Sequence, residues 1–254
     1  MPLLKKGDRN VDEENPYWMS FSDVMSALLI IFILASVVLI MELMEISAEL
    51  EKQKQEFQLE VQELQEAEEV RRAILYESAE LLNKRGIQVT VSENDTVLSI
   101  PNDILGFGTA EFQVGTSYKA TALEIGEVLS EVIRRDNRVE YIDTIFVEGH
   151  TDNRPLRGFM GKGNWGLSSF RAISLWQLWS DLLPEQSSLF DLKNKDNQPL
   201  FSVSGYGPTR PATERQDTEE ELSQNRRIDI RFTIRRPSSA EYRRVSENLE
   251  DAIQ

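Results

Sequence analysis

The chain has 254 residues and a formal net charge of −15. That is room for one ordinary domain and something more, and the acidic balance argues against nucleic acid, whose phosphates it would repel. There is no cysteine and a single histidine, His150, so a disulfide framework, a thiolate metal site and a multi-histidine metal centre are all ruled out.

Residues 1–17 read as an N-terminal tail and 18–42 as a transmembrane helix. From Val24 to Met41 there is no charge, proline or glycine. About 20 helical residues cross a hydrocarbon core of roughly 30 Å, and extending the run back to Phe21 reaches that length. Tyr17 and Trp18 stand where aromatic side chains anchor at the interface. A cleaved signal peptide would have a shorter apolar core, about 7–15 residues, ending in a small-residue cleavage site; this run passes straight into Glu-rich chain. Lys5, Lys6 and Arg9 precede the span and only Lys52 and Lys54 follow closely, which orients the N-terminus toward the cytoplasm. Asp23 sits about one turn inside. It reads either as a boundary acid that snorkels to water or as an ion carrier. Ser20, Ser26 and Ala27 share its helix face, small enough for another helix to approach closely, and intramembrane acids mark ion pathways.

Residues 43–85 read as a helical linker rich in Glu, Gln, Lys, Leu and Ala. Leu43, Leu50, Phe57 and Leu64 recur every seven residues, a heptad seam. The companion positions Ile46, Gln53, Glu60 and Ala67 are poor, so a parallel dimeric coiled coil and a single solvated helix both remain open. Gly86 is placed as the helix C-cap.

Residues 86–236 alternate strand and helix patterns and predict an α+β domain large enough for its own core. "IQVTVSENDTVLSIP" predicts two strands around a turn at "END". Ala122, Ile125, Leu129 and Val132 follow helical spacing, as do Ala172, Leu175, Trp176 and Trp179. "TIFVEG", "LFSVSGYG" and "RIDIRFTIRR" predict further strands. Residues 237–254 read as a polar tail.

Polar residues cluster at element ends: Asp152 in "EGHTDNRP", Arg171 in "NWGLSSFRA", Arg226 and Arg227 in "SQNRRIDI". If they face one cleft, the aspartate suits an ammonium and the arginines a carboxylate, together a zwitterion. A structural salt-bridge network is the competing reading. His150 is expected to be a hydrogen-bonding loop residue. No nucleophile–base pair or metal cluster is visible, so the chain is not expected to be an enzyme or to carry a cofactor or metal.

The ordered motifs "VEGHTDNRP", "GNWGLSSFRA", "GYGPTRP" and "NRRIDI" resemble those of OmpA-like peptidoglycan-binding domains, and "NPYWMSFSDVMSALLIIFILASVV" resembles the membrane segment of MotB, the B subunit of the flagellar stator. The same order of parts occurs in ZorB of the Zorya anti-phage defence system, which the short acidic linker resembles more than it does MotB. The resemblance implies a β/α sandwich with helices on one face of a mixed sheet. It places the proton-carrying acid at Asp23, and the site for the diaminopimelate stem of peptidoglycan at Asp152, Asn164, Leu167, Arg171 and Arg226. It also implies an inner-membrane protein with a periplasmic C-terminal domain, a parallel dimer of this chain, and a MotA- or ZorA-like ring of five A subunits around two B subunits.

Overall fold

The computed structural model describes residues 16–108, 110–158 and 161–236, with side chains from Phe21 onward. The expected tails, apart from Pro16 and Tyr17, and the interfacial side chains of Tyr17 and Trp18 lie outside the described residues.

Helix α1 is assigned over Pro16–Lys84. The chain divides within it into two compact units, Met1–Gln58 and Leu59–Gln254. In the first unit the apolar run is exposed throughout: Leu28, Ile31, Phe32 and Leu34 are each more than half exposed. Among the described residues this is the one helix long and apolar enough to cross a membrane. Burying each such side chain is worth about 1.5–3 kcal/mol, so a run of them demands a membrane or a partner. Leu43, Leu50 and Phe57 are likewise exposed.

The second unit begins earlier than the expected boundary at residue 86. Ile74, Leu75, Ala79 and Leu82 of α1 belong to the same hydrophobic cluster as the sheet. Their i, i+1, i+5, i+8 spacing lays one stripe of the helix on the domain, and buried Ala67 lies farther up the same part of the helix. The end of this helix, from Ile74 to Leu82, therefore packs on the domain. Gly86 caps it as expected. It sits at φ +83°, with Ile87 N–H donating to Leu82 O and Gly86 N–H to Asn83 O, the paired bonds of a Schellman end.

Among the described residues five strands follow: β1 Thr90–Val91, β2 Val97–Pro101, β3 Ile142–His150, β4 Phe201–Gly207 and β5 Arg227–Ile234. They form one mixed sheet in the order β1-β2-β5-β3-β4, with only the β3–β4 pair parallel. The first expected strand shrinks to Thr90–Val91, the two residues that pair with β2, while Ile87 and Val89 before it are buried in the core. Helices α2 (Asn102–Leu105), α3 (Lys119–Arg134), α4 (Gly163–Leu182) and α5 (Glu219–Asn225) complete the unit. Helix α4 is the crossover between the parallel strands β3 and β4, as a parallel pair requires. On β5, Ile228, Ile230 and Phe232 join the core with α3 and α4, and by strand alternation Arg227, Asp229 and Arg231 take the other face. The result is the α+β domain expected, with α1, α2, α3 and α4 contributing to one core with the sheet.

Two glycines let α4 seat directly on the sheet. A Cβ at Gly149 would lie 1.9 Å from Ser168 O, and one at Gly205 would lie 2.4 Å from Ser169 N. The Ser168 hydroxyl accepts from Gly207 N–H at 2.9 Å and locks the contact. Gly149→Ala must push backbone from backbone, so it is expected to cost about 3 kcal/mol or more and to lower the midpoint of thermal unfolding by roughly 10 °C. Circular dichroism melting of the detergent-solubilised chain checks this.

Candidate functional site: a charged cleft at the strand ends

Because β3 and β5 are antiparallel, the C-terminal end of β3 and the N-terminal start of β5 share an edge of the sheet. β2 ends there too, with Pro101 paired to Arg227. A cleft of about 430 Å³ opens at this edge, and Asp152, Asn164, Leu167, Arg171 and Arg226 all line it.

Asp152 follows β3, held at the exit by Thr151 N–H donating to Gly207 O at 3.0 Å. Its carboxylate is buried and saturated on one side. Oδ2 accepts from Arg154 Nη2 at 2.6 Å, Arg154 Nε at 3.1 Å and Arg226 Nη1 at 2.9 Å, while Oδ1 accepts from Arg154 N–H at 3.2 Å. Burial pushes the carboxyl group up, but the bonds from Arg154 and Arg226 outweigh it and hold it below the ordinary carboxylate range. Asp152 is thus ionised at neutral pH.

Asn164, Leu167 and Arg171 are spaced i, i+3, i+7 on α4 and so share one face. The Asn164 amide donates to Arg154 O at 2.9 Å, tying the loop after β3 to the helix. Leu167 is buried beneath the cleft. Arg171 is only 4% exposed, and among the described residues no carboxylate pairs with it. Instead Nε donates to Glu111 O at 2.9 Å and Nη2 to Gly108 O at 3.0 Å, with the guanidinium 5.2 Å from the Phe107 ring centre. Burial, and then the repulsion of Arg226, push its pKa down to about 10; it remains charged at neutral pH.

Two further residues were not singled out from sequence. Glu219, in the first turn of α5, accepts from Arg226 Nη2 at 2.7 Å and Arg154 Nη1 at 3.2 Å. The cleft therefore holds three guanidinium groups, Arg154, Arg171 and Arg226, against two carboxylates, an excess of one positive charge. Two buried polar atoms in its wall, Asn102 Oδ1 and Thr151 Oγ1, have no hydrogen-bond partner among the described residues. An anionic group beside a hydrogen-bonding cation is the ligand chemistry this lining favours. Arg226 and Arg227 separate: Arg226 enters the cleft, whereas Arg227 pairs with Asp229 at 3.0 Å.

His150 is not a loop residue. It ends β3, is buried, and stacks on Tyr206 with ring centres 5.5 Å apart. Its Nε2 lies 3.2 Å from Asp229 Oδ2. Glu148, His150 and Asp229 bring ligand atoms within 4.8 Å of one another. Their carboxylates are already taken, however: Glu148 by Arg231 at 2.9 and 3.0 Å, and Asp229 by Arg227 and by Ser99 at 2.7 Å. A dication there would face two guanidinium groups, so the cluster reads as a polar brace on the sheet.

Asp23 belongs to the other unit. It is exposed on α1 and shares a helix face with Ser26 and Ala27.

No protein-family model matches the chain. In sequence it resembles Motility protein B. It is 36% identical over 86 residues to Motility protein B of Bacillus subtilis (strain 168), covering 34% of this chain and 28% of that protein. It is 30% identical over 138 residues to the uncharacterized protein YtxE of the same strain, covering 54% of this chain and 48% of that one. The chain thus spans less than half the length of these curated relatives. Among solved structures, the periplasmic domain of Helicobacter pylori MotB superposes at a TM-score of 0.45 with 20% identity, over 68% of this chain and 94% of that chain.

Proposed function

We propose that the chain is the cell-wall-anchored B subunit of an ion-driven motor in the inner membrane. The observation that carries this reading is the cleft at the strand ends, in which Asp152, Arg171 and Arg226 meet as a zwitterion site requires. An exposed apolar helix with one acid at its start precedes that domain in the same chain. The similarity to Motility protein B supports the same assignment.

In this reading α1 crosses the inner membrane with its N-terminus in the cytoplasm, and the sheet domain lies in the periplasm. The cleft takes the free end of a diaminopimelate stem: the ligand's carboxylate meets the guanidinium groups and its ammonium meets Asp152. Asp23 takes up and releases a proton, biasing contacts with a MotA- or ZorA-like ring of five A subunits around two B subunits. The wall contact holds the B pair still while the ring turns. The exposed heptad residues Leu43, Leu50 and Phe57 suit pairing with a second copy of this chain. No substrate turnover is expected, and incubation with muropeptides should release no product.

Of the two motor roles, the short acidic stretch of chain between the apolar run and the first core residues of α1 at Ile74 favours anti-phage defence of the Zorya type. The similarity to Motility protein B favours motility as the second reading. Deleting the gene in its native host and scoring plaques and swimming separates them. The defence role predicts phage sensitivity with normal swimming; loss of swimming with unchanged plaque counts would contradict it.

A further inference from the structure

The cleft contains a cation of its own. The Arg154 guanidinium bridges two carboxylates, with Nη2 and Nε on Asp152 Oδ2 at 2.6 and 3.1 Å and Nη1 on Glu219 Oε2 at 3.2 Å. Arg226 spans the same two groups from the other side, at 2.9 Å to Asp152 and 2.7 Å to Glu219. Asp152 Oδ2 therefore receives three donors, leaving no place for a ligand's ammonium on that oxygen.

The two arginines are not equivalent. The Arg226 side chain is 19% exposed and that of Arg154 is 54% exposed. An ion pair so open to water is weakly held. The Arg154 backbone is fixed, its N–H on Asp152 Oδ1 and its carbonyl on the Asn164 amide, so its side chain can leave without the loop moving. Once it swings out, Asp152 and Glu219 face Arg226 alone. The seat then carries one negative charge in excess, which suits an ammonium, while Arg171 keeps its charge for a carboxylate.

We propose that Arg154 is a resident counter-cation for a seat formed by Asp152 and Glu219, and that the ammonium of a zwitterionic ligand binds by displacing its guanidinium into solvent. The proposal rests on the cell-wall reading above and adds to it a residue that sets affinity and selectivity. Competition of this kind weakens binding of the ammonium-bearing ligand and leaves a ligand without that group ungoverned by the exchange.

The test is calorimetric titration of the full chain in detergent micelles with two tripeptides, one ending in meso-diaminopimelate and the other in 2-aminopimelate, which keeps the side-chain carboxylate and lacks the ammonium. Arg154→Ala is expected to bind the diaminopimelate tripeptide roughly fivefold tighter than wild type, and the aminopimelate tripeptide no tighter. Arg154→Gln, which keeps the bulk, should move the same way. If wild type binds the diaminopimelate tripeptide and both variants bind it equally or more weakly, displacement is overturned and the cell-wall reading stands. If wild type and both variants bind neither tripeptide, the cell-wall reading falls and takes this proposal with it.

Discussion

Replacing Arg171 by alanine is expected to release the protein from the cell wall. The side chain is nearly wholly buried, yet no described carboxylate neutralises it; its donors go to Glu111 O and Gly108 O. It therefore does two things at once. It ties the loop after α2 to α4, and it keeps a positive charge in the cleft that no acid directly cancels. Truncating a buried, hydrogen-bonded charge at an interface costs about 2–5 kcal/mol, so binding to the wall should weaken by roughly a hundredfold. The two carbonyls left without donors cost about 1–3 kcal/mol each in stability, and the thermal midpoint should fall as well. Arg171→Lys keeps the charge but has no planar fork to reach both carbonyls, so it is expected to rescue little. Pelleting with purified sacculi, read beside a melting curve, separates the two losses. Wall binding by Arg171→Ala at wild-type strength would contradict the site.

The second large effect is expected at Asp23. Within the motor reading, Asp23→Asn keeps the size and hydrogen-bonding capacity of the side chain and removes its titration. Holding an acid in a membrane costs up to about 2.5–3.5 kcal/mol at the helix centre on insertion scales, so Asn should insert at least as well, and membrane levels and assembly should not change. Phage protection or swimming, whichever the host shows, should drop to background while wall binding stays intact. Full activity of the Asn variant would remove the ion role and leave a tether between membrane and wall.

Much of this arrangement is visible in the sequence, because alternation and glycine placement report directly on backbone constraints. Ile228, Ile230 and Phe232 alternate with charged residues in "RIDIRFTI" and become the two faces of β5. Gly86 is where a left-handed cap is needed. Asp152, Asn164, Leu167, Arg171 and Arg226 line one cleft; the placement of Asp152, Arg171 and Arg226 at element ends is legible in the sequence, whereas Asn164 and Leu167 are implied only by the resemblance to OmpA-like domains.

What stays hidden is whatever depends on tertiary partners. The heptad seam of Leu43, Leu50 and Phe57 and the domain-facing stripe of Ile74, Leu75 and Leu82 have nearly the same period, so the point where α1 joins the core carries no local mark. Arg171 satisfies itself on backbone carbonyls, which have no residue code. Arg154 and Glu219 read as ordinary exposed charges until the fold sets them across a cleft. Helix α5 was findable: Thr218 and Glu221 form a reciprocal capping box, a signature written in the sequence. His150 is buried and stacks on Tyr206, a β4 residue far away in sequence, and neither feature leaves a local mark.

The most direct test of the central claim is co-sedimentation of the detergent-solubilised full chain with purified diaminopimelate-type sacculi. The wild-type chain should pellet with the sacculi, free diaminopimelate tripeptide should release it, and Arg171→Ala should remain in the supernatant. A wild-type chain that stays in the supernatant would contradict the claim that this cleft grips the cell wall.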